Sequence, residues 1–148
     1  MRLKVIAVAA LAVAIVVAVI VFALPQRSPA SVPNVKFTEF TADRMDIKVG
    51  ESTKIIFNVQ NLEDRSINAS RVVIIIEPSG YQPYLSISNP TIVLPKLQGK
   101  DARTGEIQVT ITATNAPAKQ AVYTVKGVLV TEGKQTDERQ FDLKIQQE

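Results

Sequence analysis

Cysteine, histidine and tryptophan are all missing from the 148 residues. Without cysteine there is no thiol nucleophile, no disulfide framework and no thiolate ligand for a metal. Without histidine there is no imidazole base, no Ser–His–Asp triad and no histidine-held haem or zinc. Glycine is sparse, six residues scattered singly, so no phosphate-cradling loop occurs. Aromatic residues are only 5% of the chain and line no basic stripe, which removes the stacking surface that single-stranded nucleic acid needs. The length allows one globular domain plus an appendage.

What charge there is falls unevenly. The formal net charge is +3, from 17 Lys+Arg against 14 Asp+Glu. Arg2, Lys4 and Arg27 precede residue 34, and the remainder carries 14 basic and 14 acidic side chains. The excess belongs to the N-terminal segment, the rest is neutral, and a nucleic-acid partner is not expected.

Residues 5–24 (VIAVAALAVAIVVAVIVFAL) contain no charged or polar side chain. As a helix they would extend roughly 30 Å, about the thickness of a bilayer core. Arg2 and Lys4 sit just before the run and only Arg27 just after it. The positive-inside bias predicts a cytoplasmic N-terminus at 1–4, a signal-anchor span at 5–24 and an outward-facing remainder. A cleaved signal peptide is the competing reading, but its apolar core is usually about 7–15 residues and ends in a small-x-small site. Here the end reads Val21-Phe22-Ala23-Leu24-Pro25, which favours an uncut anchor. Ala10, Ala14 and Ala18, four residues apart, stack small side chains on one helix face where a second helix could approach. With seven alanines in the run and no glycine in the pattern, chance spacing in an alanine-rich segment is the favoured reading. Residues 25–33 (PQRSPASVP) hold three prolines and two serines, predicting a semi-extended stalk of about 20–30 Å.

From residue 35 the hydrophobic period changes to two. Ile55, Phe57 and Val59 alternate with Lys54, Asn58 and Gln60. Ile107, Val109, Ile111 and Ala113 alternate with Glu106, Gln108, Thr110 and Thr112, and Phe141, Leu143 and Ile145 with Asp142 and Lys144. Strands are expected near 35–37, 47–49, 54–61, 71–77, 85–87, 92–94, 104–113, 122–131 and 139–145. Turn residues separate them and no helical period intervenes. Alternation buries one face of each sheet, so 34–148 is expected to be an all-β, immunoglobulin-like antiparallel sandwich of about seven strands, held by aliphatic packing alone.

The residues also resemble a known group. Val49-Gly50-Glu51-Ser52 leads to Ile55-Ile56-Phe57-Asn58-Val59-Gln60-Asn61, similar to the opening of CARDB-type Ig-like domains, named for cell-adhesion-related proteins of bacteria and archaea. Gly105-Glu106-Ile107-Gln108-Val109-Thr110-Ile111, then Ala116-Pro117, then Ala121-Val122-Tyr123-Thr124-Val125, resemble its second half, with Ala121 where the family commonly has glycine. The resemblance covers about residues 35–146. It implies the fold, and a surface module acting by protein–protein contact, with another envelope or surface protein as partner. One N-terminal anchor with a small Ig-like domain outside also resembles the archaellum stator proteins.

No catalytic constellation accompanies this. No enzyme activity and no cofactor are expected. Asp43 with Asp46, Glu63 with Asp64, and Asp137 with Glu138 could in principle meet a cation, but none forms a calcium loop. The neighbours Arg44, Arg65 and Arg139 make solvated loop charge the expectation. Three features carry weight instead. Asn68-Ala69-Ser70 is an N-x-S sequon, a candidate glycosylation site. The run at 72–76 places aliphatic bulk on both faces of one strand, including Val73 and Ile75. It reads as a central strand whose outer face is covered, or as an apolar patch where a partner or a second copy docks. Tyr81 and Tyr84, in a Pro/Gly-rich loop, are candidate partner contacts or packing residues. The expectation is a single-pass protein of a prokaryotic, archaeal or bacterial, cytoplasmic membrane displaying a binding or adhesion domain. The alternatives are an accessory part of an archaellum, pilus or secretion machine, and a self-assembling envelope protein.

Overall fold

The computed structural model describes residues 30–147. The apolar run at 5–24, its Ala10/Ala14/Ala18 face and most of the stalk lie outside the described residues. No helix long and apolar enough to cross a membrane occurs among those described.

Nine strands follow residue 34: β1 Val35–Ala42, β2 Asp46–Lys48, β3 Ser52–Asn61, β4 Ser70–Glu77, β5 Leu85–Ile87, β6 Thr91–Val93, β7 Ile107–Ala113, β8 Gln120–Thr131 and β9 Lys134–Gln146. They form a four-stranded sheet in the order β1-β3-β7-β5 and a five-stranded sheet in the order β2-β9-β8-β4-β6. The predicted alternation decides which side chains lie between the sheets. Ile55, Phe57 and Val59 from β3, Val72, Ile74 and Ile76 from β4, and Phe141, Leu143 and Ile145 from β9 are all buried. Burying each such side chain contributes about 1.5–3 kcal/mol.

The sheets are not purely antiparallel, as the sequence led us to expect. β2 runs parallel to β9, pairing Asp46 with Lys144, Ile47 with Ile145 and Lys48 with Gln146. The cause is a sheet switch without reversal: after β1 the chain crosses to the other sheet through residues 43–45 and keeps its direction, which is also that of β9. Between β5 and β6 the chain makes a second such crossing, through residues 88–90. The first crossing is pinned by the buried Thr53, whose hydroxyl accepts from the Arg44 N–H at 3.0 Å and donates to the Arg44 carbonyl at 2.9 Å.

β1 and β9 are both longer than their apolar patterns indicate. β1 carries a bulge between Phe37 and Glu39, so one extra residue shifts the inward phase from Val35 and Phe37 to Phe40 and Ala42. β9 begins at Lys134, because Glu132 (φ 51°) and Gly133 (φ 79°) make a two-residue turn with positive φ at both positions, the twist that joins antiparallel strands directly.

All four phenylalanines of the domain meet where β1 and β3 of one sheet face β9 of the other. Phe40 lies 5.4 Å from Phe37, 6.3 Å from Phe57 and 5.5 Å from Phe141 between ring centroids, and Phe37 meets Phe57 edge-on at 6.0 Å. The cluster occupies the role that a disulfide and a tryptophan fill in antibody domains. Asp137 links β9 to β1 there by accepting the Phe37 N–H at 2.9 Å, with Arg139 Nε 3.6 Å away.

Candidate functional site

Each strand of the five-stranded sheet sends alternate side chains outward, and the register determines what they form together. Arg71 of β4 lies opposite Val130 of β8 and Val93 of β6. Val73 lies opposite Val128 and Thr91, Ile75 opposite Lys126, and Glu77 opposite Thr124. One corner of the outer face therefore carries five branched aliphatics. Val93 is 79% exposed and Ile75 42%, while Val73, Val128 and Val130 are half-buried. Beyond β8 the face turns polar, with Glu138, Gln140, Asp142 and Lys144 on β9. At one margin an open depression of about 220 Å³ is lined by Ala69, Ser70, Arg71, Val93, Val130 and Gly133.

The aliphatic run at 72–76 is thus central in its sheet, yet its outer face is uncovered among the described residues. β6 pairs only with Arg71, Val72 and Val73, and neither loop nor strand crosses the other side of Val73 and Ile75. The inward half, Val72, Ile74 and Ile76, is core.

Tyr81 and Tyr84 lie at the end of the sandwich where β1 finishes. Both are half-buried against the core, and the loop is tightly built. The Tyr81 carbonyl accepts from the Tyr84 and Leu85 N–H groups at 2.7 and 2.9 Å, and the Tyr84 carbonyl accepts from Thr114 at 2.8 Å. Burial pushes the phenol of the neighbouring core residue Tyr123 above its ordinary value, with Tyr84 adding a smaller effect. Asn68 is exposed, but Ser70 of the same sequon is buried and its hydroxyl donates to Thr131 Oγ1 at 3.2 Å. A glycosyltransferase could read that hydroxyl only before β4 packs.

The charged loops fold into pairs that the sequence does not announce. Arg65 meets Glu132, 67 residues away, through two bonds of 2.8 Å. Arg44 meets Glu51 at 3.3 Å. The Lys48 N–H is the main cause holding the Glu51 carboxyl below its usual value, with Arg44 adding to it. Arg65 likewise holds the Glu132 carboxyl low. Because that folded-state value lies below the unfolded one, the pair favours the fold above the ordinary carboxylate range and loses its contribution as acid titrates Glu132. The Glu132 N–H donates to the Ala69 carbonyl at 2.8 Å. The protection of that amide, taken relative to its intrinsic exchange rate at each pH, is expected to fall as acid titrates Glu132, and Glu132→Gln should remove that acid dependence.

Among solved structures, the fold is similar to the crystal structure of the CARDB domain of the PF1109 protein from Pyrococcus furiosus in complex with di-metal ions. The identity is 15% and the TM-score 0.55, over 82% of this chain and 100% of that one. It is also similar to a small part, 7%, of E. coli alpha-2-macroglobulin in its native conformation, with 12% identity and a TM-score of 0.51 over 78% of this chain. By sequence, no family model matches the chain and no curated protein is similar to it. The likeness defines the fold class: an all-β, two-sheet sandwich resembling the CARDB Ig-like fold. The metal ions belong to the archaeal domain. Among the described residues here no group of three or more acidic side chains that could hold a metal ion occurs.

Proposed function

We propose that this chain is a non-enzymatic binding module, held at the outer face of a prokaryotic cytoplasmic membrane by an uncut helix over residues 5–24. The observation that carries the reading is the juxtaposition of an uncharged, bilayer-length run behind Arg2 and Lys4 with a charge-balanced domain. The fold adds support. The outer face of its five-stranded sheet leaves an aliphatic corner uncovered, and two half-buried tyrosines, a residue type enriched in contacts between proteins, lie in a loop at one end of the sandwich. Confinement to a membrane raises the effective concentration of such a binder, so a weak contact suffices.

The test is retention of the full chain in membranes. The protein should stay in the membrane pellet through an alkaline carbonate wash and leave it only with detergent. Ala14→Arg, which places a guanidinium mid-span at a cost of about 2.5–3.5 kcal/mol, should shift a large fraction to the soluble phase. Release of the unsubstituted chain by carbonate alone would contradict the reading.

A further inference from the structure

We infer that the outer face of the five-stranded sheet is an interface between two copies of this chain, packed face to face with their β4 strands antiparallel. The outward row of β4 reads Arg71, Val73, Ile75, Glu77: one positive end, two aliphatics, one negative end. That row is self-complementary. A two-fold axis lying between the sheets and crossing β4 at right angles over Ile74 places Arg71 of each copy against Glu77 of the other, and Val73 against Ile75. Isologous dimers require this pattern, since every contact must be made twice by one surface.

The flanking strands follow the same operation. Lys126, beside Ile75 on β8, comes next to Glu138 of the second copy, which lies beside Val128 on β9. Arg71 is exposed and has no ion-pair partner among the described residues. Glu77 already holds Lys126 Nζ at 3.0 Å, so it would be bracketed by two cations in the dimer. A parallel stacking of the same faces would set Arg71 on Arg71 and Glu77 on Glu77, and the charges oppose it.

Strand addition at the sheet edge is the competing geometry, and the edge is guarded. β6 has three residues between Pro90 and Pro95. The Thr91 N–H is already taken by Asn89 Oδ1 at 3.2 Å. Short, proline-flanked edge strands block pairing with another chain, so at this edge, beside the aliphatic corner, the face is the route to association. The inference needs no membrane anchor and stands or falls separately from the proposal above.

The charge pattern supplies its own test on the full chain in detergent. Arg71→Glu alone sets a carboxylate against the carboxylate of Glu77 in the second copy. Glu77→Arg alone sets two guanidinium groups against each other at the same contact. Each variant should therefore dimerise about ten-fold more weakly than the parent in sedimentation. In an equimolar mixture of the two, both contacts of a mixed pair become opposite-charge. The Arg71→Glu carboxylate faces the Glu77→Arg guanidinium, and the unchanged Glu77 of one copy faces the unchanged Arg71 of the other. Mixed pairs should therefore recover parental affinity, as should the double variant Arg71→Glu with Glu77→Arg. Because the chain has no cysteine, Val73→Cys mixed with Ile75→Cys should be joined by a short bis-maleimide. Ser86→Cys, on the opposite sheet, should not be joined to either. Single variants that dimerise like the parent, a double variant no better than the singles, or cross-linking no greater than at Ser86→Cys would each overturn the assignment.

Discussion

Gly127→Ala is expected to destabilise the domain by about 2–3 kcal/mol, because it overpacks the site. Gly127 is an inward position in the middle of β8, paired with Ile74 on one side and Arg139 on the other. A Cβ built there would lie 2.8 Å or less from three ring carbons of Phe40, closer than real Cβ contacts come. Relief would have to come from the half-buried Phe40 ring, at the cost of its packing. The backbone is held by a strand on each side, and the Phe40 ring is packed among Phe37, Phe57 and Phe141. The check is denaturant unfolding followed through tyrosine, since the chain has three tyrosines and no tryptophan. The midpoint should fall with an unchanged slope. Phe40→Leu should relieve much of the clash, so the double variant should cost less than the sum of the two singles. Strict additivity would mean that Gly127 and Phe40 do not meet as described.

Asn61→Ala is expected to cost a similar amount, about 2–4 kcal/mol, by leaving several buried polar groups without partners. Asn61 is fully buried at the end of β3. Its amide nitrogen donates to the Arg65 and Gln98 carbonyls at 2.9 and 2.8 Å, and its Oδ1 accepts the Glu63 N–H at 3.0 Å. One side chain thus ties the loop at 62–69 to the segment around residue 98. Gly99 lets the two backbones touch, for a Cβ there would collide with the Asp64 carbonyl. Asn61→Asp should be worse at neutral pH, because a carboxylate cannot donate to those carbonyls and would be charged in a buried site. Acid should return part of the lost stability by making it neutral. Calorimetry or chemical denaturation of the two variants across pH reads both effects. An alanine variant as stable as the parent would show that the amide is not the tie.

The core was largely readable from alternation, wherever the alternation was unbroken. Ile55, Phe57 and Val59, and Phe141, Leu143 and Ile145, point inward as their period requires. Reading failed where the period was interrupted or silent. The extra residue in β1 shifts Phe40 out of phase with Phe37, and so hides the second half of the strand. The first five residues of β9, from Lys134 to Glu138, carry no aliphatic at all and are strand only because the turn at Glu132-Gly133 zips them onto β8. The parallel β2 is invisible locally, since it depends on where β9 ends, far along the chain. The outer face divides in the same way. Val73 and Ile75 stand out in the run at 72–76, but Val93, Val128 and Val130 join them only through register. Arg65 gives no hint that Glu132 is its partner.

Placement of the domain outside the membrane is the claim on which the functional account turns, and impermeant thiol labelling reads it directly. Ser86→Cys, at an exposed position of β5, should react with a membrane-impermeant maleimide in intact spheroplasts, whereas Leu3→Cys, which keeps Arg2 and Lys4, should react only after permeabilisation. The reverse pattern, or labelling of Ser86→Cys that waits for lysis, would contradict it.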